Sequence, residues 1–220
     1  MNSDSVYGLS DFLFAWYGKI QRVKPPAVDP SVTLPPILAE WYEFSLGSEH
    51  PLTFDTRCLA PTRLREESGH TKFWVESQGC WEWAFRRDSP DFPVYFRDPG
   101  DRYWKPAGVP LAGFLIAMAV HEAVQGAPCV AYSSSVTAAD LQRILAFVAQ
   151  PGISAPEPYG TAIYLSDGLL AEVEIFDPGD FGPPLTEDRY MVTLASRNPQ
   201  VLGEATAVAP NAKWRLDTNE

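Results

Sequence analysis

Lys72-Phe-Trp-Val-Glu-Ser-Gln-Gly-Cys-Trp-Glu-Trp-Ala-Phe85 decides the fold class. Two aromatic runs flank Gln78-Gly79, a dipeptide suited to a tight turn, so residues 73–85 read as an antiparallel hairpin. Side chains alternate across a strand, which sets Trp81, Trp83 and Phe85 on one face and Cys80, Glu82 and Ala84 on the other. In the first strand Trp74 shares a face with Lys72 and Glu76. Residues 92–96 read as a third strand and Asp98-Pro-Gly-Asp101 as a turn, with a lone Trp104 after it. Pro110 then opens a helix over residues 111–124. Its apolar residues cover nearly the whole circumference, the pattern of a buried helix. Strands followed by a buried helix give an α+β domain built on a mostly antiparallel sheet.

Upstream, Ser10-Asp11 is suited to cap a helix on which Phe12, Trp16 and Ile20 share one face. Residues 23–36 are proline-rich and read as an extended linker. Pro35 or Pro36 starts a second helix, with Ile37, Leu38, Trp41, Tyr42 and Phe44 apolar and Gly47 as its stop. Residues 51–70 read as irregular. Downstream, Thr137 and Asp140 have capping-box spacing ahead of Leu141, Ile144, Leu145 and Val148. Residues 162–176 form a second hairpin about Asp167-Gly168, with Ala171, Val173 and Ile175 on one face and Glu172 and Glu174 on the other. Strands over 190–195 and 201–208, joined at Asn198-Pro199, complete the pattern, and Trp214 is able to dock the tail. The expected organisation is a core over residues 1–130 and a β-rich extension over 131–220, packed as one compact body.

The chain has 220 residues, 45% hydrophobic and 20% charged, enough to bury a sizeable core. Its three cysteines have no close pair, which speaks against a disulfide framework and for a reducing cytosol. Asp4 and Asp11 precede any basic residue, unlike a signal peptide. The longest apolar run, residues 111–120, falls short of the roughly 18 residues of a membrane span. Net charge is −11, and no Lys or Arg occurs between Arg143 and Arg189. Such a surface repels nucleic acid and attracts basic partners, although plain solubility explains it equally well.

Residues that could carry chemistry form no complete constellation. His121-Glu122 lies on a helix, but a zinc protease needs a second histidine one turn on, where Gln125 stands. Cys129 could act as a nucleophile beside His121, or be an ordinary buried cysteine. Ser133-Ser134-Ser135 lacks a nucleophile-elbow context and reads as a loop. Glu76 and Glu82 could pair for acid–base work or face solvent. No cofactor or metal is expected. The tryptophans Trp74, Trp81, Trp83 and Trp104 divide between two roles, packing the sheet or anchoring a partner.

Taken in order, the first helix, Leu34-Pro-Pro-Ile-Leu-Ala-Glu-Trp-Tyr42, Gln78-Gly-Cys-Trp-Glu-Trp83, Asp91-Phe-Pro-Val-Tyr95, Trp104 and Leu111-Ala-Gly-Phe-Leu115 through His121-Glu-Ala-Val124 resemble the SUKH superfamily, the Smi/Knr immunity-protein group. The likeness covers roughly residues 8–125. It departs at Leu46-Gly47, where family members often carry Asn-Gly. The resemblance implies an antiparallel sheet with flanking helices and a bacterial, cytoplasmic, non-catalytic protein that neutralises a toxin, often a nuclease or deaminase, by occluding it. A regulatory or scaffold module without a toxin is the alternative. The partner would be a protein, in the first case a basic toxin domain. The expected contact residues are Trp74, Glu76, Trp81, Trp83, Tyr103 and Trp104 on the aromatic segment, and Glu172, Glu174, Asp177 and Asp180 on the acidic one.

Overall fold

A computed structural model describes residues 8–26, 34–148, 153–176 and 189–218. They form two compact units. The first comprises residues 1–123 with 156–159, and the second comprises 124–155 with 160–220.

The first unit begins with helices α1 (Leu9–Tyr17) and α2 (Pro36–Gly47). Gly8, not Ser10, is the N-cap of α1. Its amide donates to the Asp11 carboxylate at 3.3 Å, while Ser10 bonds Glu40 on α2. Gly47 does not stop α2 but lies inside its last turn. A Cβ at position 47 would lie 1.5 Å from the Gln21 carbonyl oxygen, so glycine is required for the chain at residues 21–23 to run against the helix. The Val23 amide donates to the Glu43 carbonyl in the same approach.

Six strands follow: β1 (Thr56–Cys58), β2 (Arg65–Glu67), β3 (His70–Glu76), β4 (Glu82–Arg86), β5 (Pro93–Arg97) and β6 (Lys105–Pro110). All pairings are antiparallel. β3, β4, β5 and β6 are neighbours in that order, and β1 and β2 lie end to end along the outer edge of β3. Residues 51–70 therefore hold two short strands and a 3₁₀ turn at Pro61–Arg63 rather than irregular chain. Helix α3 (Leu111–Gln125) is almost entirely buried, as its all-round apolar surface requires.

Strict alternation fails in β3. Lys72 faces Ala84 and Trp74 faces Trp83, which leaves Phe73 as an extra residue, a β-bulge. Phe73 and Trp74 consequently enter the core together. Both rings meet Phe114 of α3, at 5.1 and 5.7 Å between centroids, and Trp83 meets it at 5.8 Å. Trp41 of α2 lies 5.2 Å from Trp74. Each such edge or tilted aromatic contact adds about 0.5–1.5 kcal/mol beyond the area it buries.

The second unit is also antiparallel. Its strands are β7 (Cys129–Thr137), β8 (Ile153–Ser154), β9 (Ala162–Ser166), β10 (Leu169–Ile175), β11 (Arg189–Ser196) and β12 (Arg215–Thr218), in the spatial order β12-β7-β11-β10-β9-β8. Ser133-Ser134-Ser135 lies within β7 and is not a loop. Helices α4 (Ala138–Phe147) and α5 (Pro199–Ala207) cover one face over Ala131, Val136, Ala171, Val173, Val192 and Leu194. Thr137 caps α4 as the spacing indicated, its hydroxyl accepting from the Asp140 amide at 3.1 Å. The strand expected over residues 201–208 is helix α5 instead, because Asn198-Pro199 supplies an N-cap and an N1 proline rather than a turn. The Asn198 side chain accepts from the Gln200 amide. Trp214 docks the tail, donating its indole N–H to the carbonyls of Thr206 and Ala209. Ile175, expected to share the covered face with Ala171 and Val173, is exposed instead.

Candidate partner-binding surface

Helices cover one face of the first unit's sheet. On the opposite face, cross-strand register orders the side chains into rows. One row runs Arg57, Val75, Glu82, Arg97. The next runs Arg65, Lys72, Ala84, Tyr95, Pro106. A third runs Glu67, His70, Arg86. Directly opposed residues project to the same side of a sheet, so these side chains form one continuous layer.

Glu82 is its hub. Lys72 Nζ donates to one carboxylate oxygen at 2.9 Å and Arg97 Nε to the other. Burial by itself would push the Glu82 carboxyl up. The hydrogen bonds and charges of Lys72 and Arg97 outweigh that and hold it below the usual carboxylate range. Arg97 also places its guanidinium over the Trp104 ring, 4.2 Å from the centroid, and reaches Glu67 at 3.5 Å. Trp104 stacks on His70 at 5.5 Å and 19°, and His70 meets Tyr95 edge-on at 4.9 Å. The His70 imidazole is held below its ordinary value, first by burial and then by the nearby Arg86 and Arg97 charges, with its Ser68 carbonyl contact opposing. The result is an aromatic and charged layer held in place before any partner arrives.

The expected contact residues divide sharply on this frame. Tyr103 is 77% exposed beside the half-buried Trp104, at the edge of the layer. Trp81 is half-buried with its ring edge-to-face with Phe96. Trp74 and Trp83 are fully buried and contact no solvent, which corrects their assignment as anchors. Trp74 donates to the Thr56 hydroxyl and Trp83 to the Glu157 carbonyl at 2.9 Å. Glu76 is buried and braces the hairpin turn, accepting from the amides of Gln78 and Cys80 at 2.9 Å each, so its carboxylate is committed locally rather than offered outward. In the second unit Glu172 is 8% exposed, which removes it from an open acidic face. Glu174 is exposed and accepts from Thr161 at 2.8 Å. Asp177 and Asp180 lie outside the described residues.

Glu122 is buried and accepts from the backbone amides of Phe54, Asp55 and Thr56 and from the Thr56 hydroxyl, fixing the entry to β1. Four donors thus converge on that carboxylate. His121 lies 5.1 Å from the Tyr159 ring and 3.7 Å from Asp55. Cys129 packs among the apolar residues of the second unit. Burial pushes the Cys58 thiol up to about 12, with Tyr42 and Trp41 beside it, so it holds its proton at neutral pH. Among the described residues no group of three or more His, Cys, Asp or Glu side chains is placed to hold a metal ion. No helix there is long and apolar enough to cross a membrane.

Sequence reasoning missed most of the layer: Arg57, Arg65, His70, Lys72, Arg86, Tyr95 and Arg97. The available signal was Glu82-x-Ala-x-Arg86, a period of two with charged ends that marks a strand face kept out of the core. No family model matches the chain, no curated protein matches it, and no solved structure matches its fold.

Proposed function

We propose that this chain is a non-catalytic, cytoplasmic binding protein of immunity type that neutralises a toxin domain by covering it. One observation carries the reading: an interlocked aromatic and charged layer on the sheet face opposite helix α3, with the exposed Tyr103 at its edge. Rigid aromatics ringed by polar groups are the usual energetic centres of protein interfaces. The resemblance of its aromatic motifs, taken in order, to the SUKH superfamily supports the same reading. A net charge of −11 would speed the approach of a basic toxin from a distance. Co-expression with a toxin encoded in an adjacent reading frame should rescue growth, and Tyr103→Ala together with Trp104→Ala should abolish rescue while the protein stays folded. Full rescue by that double variant would remove this face from the account. A pull-down that recovers a host complex and no toxin would favour the regulatory alternative.

A further inference from the structure

The open face has a charge opposite to that of the chain. Arg57, Arg65, Lys72, Arg86 and Arg97 are five of the 17 basic residues, whereas the carboxylates among them, Glu67, Glu82 and the Arg86 partner Asp88, are three of 28 acids. Neutral shuffling of charge over the surface would place more acids than bases here. Glu82 is consumed inside the layer by Lys72 and Arg97, and it is 6% exposed. Five bases less three acids leave a surplus of two positive charges, which sits on the exposed Arg57 and Arg65 beside the Lys72–Glu82–Arg97 and Arg86–Asp88 ion pairs and the Trp104–His70–Tyr95 rings.

We infer that this face docks a carboxylate-rich segment of a partner protein. Guanidinium groups match carboxylates with paired hydrogen bonds, and the central rings offer a flat surface for the apolar stems of that segment. A nucleic acid would meet the same arginines, but it would also have to approach a chain of net charge −11, which a local segment of a protein need not do. The inference goes beyond neutralisation, since the same chemistry would serve any partner that presents such a segment.

The probe is a hexaglutamate peptide titrated into the full chain at low salt and followed by amide chemical shifts, with hexalysine and a single-stranded oligonucleotide as comparisons. Hexaglutamate should shift His70, Lys72, Arg86, Arg97 and Trp104, with a Kd near or below about 1 mM that weakens as salt rises. Arg57→Gln with Arg86→Gln should weaken binding about tenfold, and the full native spectrum of that variant would show that folding is intact. No binding at about 5 mM peptide, shifts centred elsewhere, unchanged affinity in the double variant, or tighter binding of the oligonucleotide would each overturn the inference. Toxin rescue is a separate readout, so either proposal can fail alone.

Discussion

The two faces of the first unit's sheet are built from the same kinds of residue and do opposite things. On the helix side Phe73, Trp74, Trp83 and Phe85 are fully buried, and the indole N–H groups of the two tryptophans find hydroxyl or carbonyl acceptors within the protein. On the open side Trp104, Tyr95 and His70 are only partly buried and are stacked with Arg97 and Arg86. An aromatic residue is thus not a sign of core or of interface by itself. Its cross-strand partners decide which it is, because they determine whether a helix or water lies above it.

The largest test of this contrast is Trp74→Ala. It removes a fully buried ring wedged between Trp41 and Phe114, so urea unfolding should show a loss of about 3–5 kcal/mol. A loss below about 1 kcal/mol would mean that the inner face is not the packed core. Next comes Glu122→Gln, which exchanges one acceptor oxygen for a donor amide in a buried site where every neighbour donates. The expected loss is about 2–3 kcal/mol by the same measurement, with no gain or loss of metal affinity.

Glu82→Gln moves the test to the open face. At neutral pH it should cost about 1–2 kcal/mol, since both cations lose a charged acceptor. The folded pKa of Glu82 lies below its unfolded value of about 4.3, so its contribution is fully present above that value and is lost as pH falls through the folded one. Wild type and variant should therefore converge in stability only on the acid side of pH ~4. A difference that persisted unchanged well below pH ~4, or that had already vanished above it, would detach Glu82 from the Lys72–Arg97 network. The smallest effect belongs to Tyr103→Ala. With 77% of the residue exposed, thermal stability should change by no more than about 0.5 kcal/mol, while partner binding falls. A large stability loss would show that Tyr103 packs rather than presents.

Much of the element order was legible because it follows from local physics. The turn at Asp167-Gly168, the Thr137 cap and the buried character of α3 follow from residues within one or two turns of each other. Asn198-Pro199 misled for an equally local reason: the same pair can close a turn or start a helix, and the apolar spacing of Leu202 and Ala205 on α5 decides it. Gly47 was misread because its reason lies some 26 residues away, in the Gln21 carbonyl that would collide with any Cβ. Of the candidate contact residues, Trp74 and Trp83 could be separated from Trp104 only once helix α3 was in place above the inner face.

By itself the sequence determined an α+β protein with antiparallel hairpins, an aromatic centre and a strongly acidic balance, since hydrophobic period, turn residues and charge are additive along the chain. Only the tertiary structure decided which face of each strand meets the core. One extra residue at Phe73 reverses the alternation within β3, carrying Trp74 inward and leaving Lys72 and Val75 together outside. From that reversal comes the local excess of arginine on a chain of net charge −11, a property of register that no count of residues contains.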